Sequence, residues 1–204
     1  MKQYLQTPLA IMNVLESFQK NGLHYILFKC DHIFEGQNKN VDILFESDAD
    51  YHHAAAFLEQ RGFIVRLSEK IEKYKTMYCG FIDGTMYSLH LHREIAWHGI
   101  KVLDKKDVFA HARGINTVIV IPSLEDSILI HAAHVLFENF KVNERERNYF
   151  QKLNDPATNK DYLFWQIKKN HWKKGFWKVI RSAHLSTTPP HLSITLMFLW
   201  LEKL

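Results

Sequence analysis

The stretch NVDILFESDADYHHAAAFLEQRGF, residues 40–63, decides the fold. Its first half alternates: Val41, Ile43 and Phe45 share one side of an extended chain, and Asn40, Asp42, Leu44 and Glu46 share the other. That is the period-two pattern of a strand with one buried face. Ser47 and Asp48 then offer an N-cap for a helix that runs to Arg61 and stops at Gly62. FIVRLS (63–68) reads as the next strand. Working outward, segment 8–21 carries Leu9, Ile11, Met12, Leu15 and Phe18 near helical spacing and ends at Asn21-Gly22. HYILF (24–28) is a buried strand, and CDHIFEGQNKN (30–40) a loop with room for one helical turn. Downstream, Asp83-Gly84 sits between two alternating segments of 75–92, a strong hairpin signal.

Beyond the hairpin the character changes. A short strand or helix at 100–112 and the strand TVIVI (117–121) lead to Pro122-Ser123. Ser123 with Asp126 three residues on resembles a capping box and predicts a long helix over 124–141. Helices are expected at 144–154, 158–171, 173–184 and 191–203. The order predicts an α+β fold: a mixed or mostly antiparallel sheet with flanking helices in a domain over 1–121, then a helical C-terminal domain over 122–204 packed on it.

The 204 residues are 47% hydrophobic and 24% charged, with 8 Gly and 5 Pro, which excludes disorder and collagen-like repeats. A chain of this length buries roughly 70% of its unfolded surface and needs no staple. Cys30 and Cys79 are too few for a disulfide framework. The most apolar run, Leu192–Leu201, is half the length of a membrane span, and the first residues lack a signal-peptide core. A cytoplasmic, reducing setting with no membrane span is the expectation.

Charge is unevenly spread. From Lys141 onward there are 12 Lys and Arg against 5 Asp and Glu, whereas the first 140 residues hold 14 against 17. The stretch 165–181 interleaves Lys168, Lys169, Lys173, Lys174, Lys178 and Arg181 with Trp165, Trp172, Phe176 and Trp177. Such a pattern can stack on bases and neutralise phosphates. The more ordinary account, preferred here, makes Trp165, Trp172 and Phe176 helix-spaced core residues and the lysines a solvated face.

The chemistry-bearing residues lie on the strands. In MYSLHLH (86–92), Ser88, His90 and His92 share a face. An aspartate in an apolar strand is costly unless paired or solvated. Were 41–46 and 86–92 neighbours, Asp42 and His90 would meet. They would form either a carboxylate–imidazole site for Zn, Mn or Fe or a structural His–Asp pair. His131 and His134 stand at i and i+3 on one helix face. They are either metal ligands or, more simply, half-buried histidines bonded to backbone. His24, His52 and His53 read as surface residues. No Walker or dinucleotide glycine loop, nucleophile-elbow serine, zinc-protease helix or paired CxxC occurs, which excludes those enzyme classes.

Taken together, YILFKCD, NVDILFESDADYHHAAAFLEQRGF, YSLHLHREI and IPSLEDSILIHAAHVLFE resemble an uncharacterised nucleotidyltransferase-like family within the DNA polymerase beta-type nucleotidyltransferase superfamily, over about residues 23–153. The resemblance implies a divalent metal (Mg or Mn, with Zn as a further option) and ATP or another nucleoside triphosphate. It implies transfer of the nucleoside monophosphate to a small-molecule, peptide or protein acceptor. Three carboxylates hold two metal ions in such enzymes; their places fall on Asn40, Asp42 and His90. Asp42, His90 and His92 are the implied catalytic residues, with Asp42 and His90 on metal. Lys29, Cys30, Asp31 and Asn40 would contact nucleotide. Asn40 and His90 replace hard anionic ligands, and Cys30 and Asp31 replace the small residues of the phosphate turn. The alternative is therefore a catalytically degenerate scaffold acting as a binding module.

Overall fold

The structure, a computed structural model, describes residues 9–29, 40–139 and 141–185. It divides into two compact units, Met1–Pro122 and Ser123–Leu204. Among the described residues there are seven α-helices and a five-stranded mixed sheet, so the chain is α+β.

In the first unit, helix α1 (Leu9–Lys20) leads into strand β1 (Tyr25–Phe28), which pairs antiparallel with β2 (Asn40–Phe45). Helix α2 (Asp48–Gln60) is capped by Ser47, whose hydroxyl accepts the Asp50 N–H at 3.0 Å. Gly62, at φ 80°, ends it as the sequence suggests. Strands β3 (Ile64–Leu67), β4 (Lys75–Ile82) and β5 (Thr85–His92) follow. Asp83 (φ 49°) and Gly84 (φ 74°) both occupy the left-handed region, the requirement of the type I′ turn that joins β4 to β5. The sheet order is β1-β2-β5-β4-β3. Only β2 and β5 run parallel, a pairing that needs the long crossover through α2, β3 and β4.

Alternation sorts the sheet into two faces. Val41, Ile43, Leu89 and Leu91 join Ile11, Leu15 and Phe18 of α1 and Ala54 and Leu58 of α2 in one buried cluster. On the opposite face Asn40 is exposed and Ser88 and His90 are half-buried. One face packs into this cluster; the other carries the polar residues beside the buried Ile26, Phe28 and Leu44. The buried Tyr25 hydroxyl donates to the carbonyls of Leu15 and Val118, at 3.1 and 2.7 Å, and so ties α1 to the end of the unit.

Strands β6 (Ile95–Trp97) and β7 (Ile100–Leu103) form a small separate ribbon, followed by α3 (Lys105–Ala110), so region 100–112 is both strand and helix. TVIVI does not form the full strand expected. Only Val120 and Ile121 (β9) pair, with Arg113 and Gly114 (β8). The Asn116 side chain accepts the N–H groups of Val118 and Ile119, at 2.8 and 2.7 Å, which withdraws them from any ladder.

In the second unit Ser123 caps α4 (Leu124–His134) as expected, but the helix does not run unbroken to 141: Val135–Asn139 forms a π turn. Helices α5 (Glu144–Gln151), α6 (Lys160–Lys169) and α7 (Lys173–Leu185) follow, with a 3-10 turn at Lys152–Asn154. Glu125 of α4 accepts the Asn159 N–H at 2.5 Å and Asp126 accepts the Tyr162 hydroxyl at 3.0 Å, so two buried carboxylates fasten the start of α6. The helix expected at 191–203 lies outside the described residues. Among the described residues no helix is long and apolar enough to cross a membrane.

Gly80 of β4 packs directly against Phe63: a Cβ there would stand 2.5 Å from its ring. Gly80→Ala should therefore destabilise the protein by about 1–3 kcal/mol despite alanine's better strand propensity. A lowered urea midpoint with an unchanged m-value is the expected reading; an unchanged midpoint would mean the Phe63 ring moves aside freely.

Candidate functional site

The parallel register of β2 and β5 sets Asp42 opposite His90. His92, two residues on, shares the face of His90 and reaches the same carboxylate. Asp42 Oδ1 lies 3.2 Å from His90 Nδ1, 2.9 Å from His92 Nε2 and 3.3 Å from Lys29 Nζ. All four side chains are close to buried, the most open being His90 at 12%. A carboxylate only accepts, so both ring nitrogens facing it carry hydrogen. The far nitrogen of His90, Nε2, meets Ser88 Oγ at 3.0 Å, and the Cys79 thiol stands 3.8 Å beyond that hydroxyl. His90 is thus held at both ends of its ring.

Lys29 arrives by an unusual backbone. It follows Phe28, the register partner of Asp42 on β1, and takes φ 55°, a left-handed conformation rare outside glycine. The turn sends its ammonium over the rings of Phe28 and Trp97, 5.5 and 5.7 Å from their centroids. The Phe28 ring also meets His92 edge-on at 4.7 Å. At the end of β5, Arg93 spans to the Asp48 carboxylate of α2 through two nitrogens, at 3.0 and 2.5 Å, anchoring the strand next to His92.

The electrostatics follow from burial. Burial by itself drives the Asp42 carboxyl up, but the Lys29 charge and the bonds from His90 and His92 outweigh it, holding the group well below the usual carboxylate range. Burial lowers His92 to about 4, only partly offset by Asp42, so its ring is neutral at pH 7.

Asp42, His90 and His92 each offer one ligand atom within 4.8 Å of the others. One carboxylate and two imidazoles suit a borderline ion such as Mn, Fe or Zn; Mg prefers an all-oxygen shell. The donor chemistry therefore fits a divalent transition metal. Binding it would displace the two ring hydrogens facing Asp42.

The structure brings Lys29, Asp42, His90 and His92 together. Asn40, two residues before Asp42, lies exposed beyond them, opposite Ser88 in the register. Cys30 and Asp31 fall outside the described residues. His131 and His134 belong to the helical unit, apart from the strand residues. His131 stacks on Tyr149 with centroids 3.9 Å apart. His134 lies 3.4 Å from Glu146 and 3.3 Å from Glu138. His24, His52 and His53 are exposed, as expected. Sequence reasoning put Ser88 on the right face but missed its bond to His90, and it missed Trp97 entirely. Comparison with known proteins assigns nothing further: no family model, curated protein or solved structure matches the chain.

The sign of the pH dependence follows from His92. Its pKa falls from 6.5 to about 4 on folding, so between those values the unfolded chain binds more protons and stability drops as pH falls. Asp42, also lowered, acts in the same direction at still lower pH. In chelator, the wild type should lose roughly 2–3 kcal/mol between pH 7 and 4 through His92 alone. Urea midpoints across that range check it: His92→Gln should flatten the slope, and an equal slope in both proteins would place the acid sensitivity elsewhere.

Proposed function

We propose that this chain is a nucleotidyltransferase-type protein that binds a nucleoside triphosphate together with a divalent transition metal and transfers the nucleoside monophosphate to a hydroxyl acceptor. The observation that supports this reading is the convergence of Asp42, His90 and His92 on one point of the sheet's polar face, beside the lysine that follows β1. Asp42, His90 and His92 would hold the metal. When bound, it supplies charge neutralisation for the triphosphate and acidifies the attacking hydroxyl.

The chain's own residues then have separate tasks. Lys29 occupies the cation's place beside Asp42. Once Asp42 has another positive partner, the lysine's charge is available to phosphate oxygens. Ser88 orients His90 through Nε2, the outer contact that keeps a ligating imidazole in one tautomer. Asn40 offers an amide at the exposed edge of the site, where a nucleotide can be hydrogen-bonded without a further ion.

A second reading, a degenerate member that binds nucleotide without turnover, is favoured by one specific feature. Two of the three family carboxylate places hold Asn40 and His90, and the remaining carboxylate is already neutralised by Lys29. Calorimetric titration with ATP and GTP, in Mn, Zn or Mg and then in chelator, separates these. Binding that needs Mn or Zn and vanishes in Asp42→Ala, accompanied by pyrophosphate release, is the expected result. Binding with no pyrophosphate selects the second reading, and no binding with any metal rejects both.

Ser88→Ala should weaken metal affinity about tenfold without unfolding the protein, the usual scale for removing an outer-shell partner. Competition against a chromophoric chelator reads this directly. An unchanged affinity would show that His90 needs no hydroxyl to hold its ring.

A further inference from the structure

The basic and aromatic residues of 165–181 do not all do what helix spacing suggests. Trp172 and Phe176 are core residues, 2% and 0% exposed, as expected. Trp165 is not: it stands 48% exposed, beside Phe164 at 44%. His171, at φ 57°, turns the chain between α6 and α7, so Trp165 lies on α6 and Trp172 in the connection before α7, and their seven-residue spacing describes no common face.

Between these two helices lies a groove of about 760 Å³. Phe164 and Trp177 face each other in it with ring centroids 6.0 Å apart, and Lys168, His171, Lys173 and Lys174 line it. None of the described residues that line it is acidic. Trp165, one residue from Phe164, extends the aromatic surface, with the Lys169 ammonium 5.0 Å from its ring. Two kinds of group are therefore side by side: flat rings at the surface, and a cluster of cations with no anion among the described residues that line the groove.

We propose that the α6–α7 groove binds single-stranded nucleic acid, with bases stacking on Phe164 and Trp177 and phosphates meeting Lys168, Lys173 and Lys174. The charge complementarity selects a polyanion. The exposed rings select one whose bases are free to leave their own stack, because every base offers a π face and a duplex hides it. Neither this groove nor its residues enter the metal site, so the proposal stands whether or not the nucleotidyltransferase reading does.

The test is fluorescence anisotropy of a labelled 12-nucleotide single strand with the full chain, over a salt series. Three lysines at phosphates give a slope of log affinity against log salt near −2, at roughly 0.7 per phosphate for a single strand. Phe164→Ala should lower affinity about tenfold, and Lys168→Glu with Lys173→Glu should abolish binding, with melting midpoints unchanged in both. Phe164, 44% exposed, contributes less to the core than Trp177, which keeps the first variant folded should Trp177→Ala fail to fold. Lys70→Glu, an exposed lysine of the first unit, is the charge control and should bind as wild type. No binding at low salt overturns the proposal. So does a duplex that binds as tightly as the single strand, or a loss in Lys70→Glu equal to that of the groove variants. Preference for anionic lipid vesicles over the oligonucleotide overturns it too.

Discussion

A carboxylate placed in the middle of an apolar strand has to be neutralised, and much of the first unit is arranged around how Asp42 meets that need. Val41 and Ile43 on either side of it face the core, so the strand cannot rotate to release the aspartate to water. Three donors from two other elements converge on a single oxygen instead: Lys29 from the end of β1, His90 and His92 from β5. Each depends on a distinct structural decision. The lysine needs the left-handed turn, and the histidines need β5 to lie parallel to β2 in one register. A slip of one residue would turn both imidazoles to the core face. The site and the sheet topology are one constraint seen from two sides.

That constraint also explains what was legible beforehand. Alternation in 40–46 and 86–92 showed which residues share a face, and Ser47, Gly62 and Asp83-Gly84 marked the helix start, its end and the hairpin. These are local signals, carried by caps and by backbone angles that few residues adopt. The pairing of β2 with β5 is not local, since forty-eight positions separate Asp42 from His90, and no residue type announces it. The Lys29–Asp42 contact was missed for a related reason. A lysine at a turn gives no sign in the sequence of which anion of its own protein lies beside it, here Asp42.

The remaining differences have equally specific causes. TVIVI has strand composition, yet Asn116 takes two of its amide hydrogens before a partner strand can. The long helix after Ser123 widens at Val135–Asn139, where Glu138 and Asn139 come within reach of His134, and Asn139 also reaches Glu146. A one-residue change in hydrogen-bond register leaves no mark in hydrophobic periodicity. The spacing that points Trp165 to the core spans a helix break.

Lys29 has one more implication. Its backbone favours glycine, by roughly 1–2 kcal/mol against an ordinary L residue, whereas Asp42 requires a cation at that point. The position is therefore contested between conformation and charge, and charge has prevailed. Glycine at this point would relax the backbone yet leave the buried Asp42 to its two imidazoles, so neither residue type satisfies both demands at once.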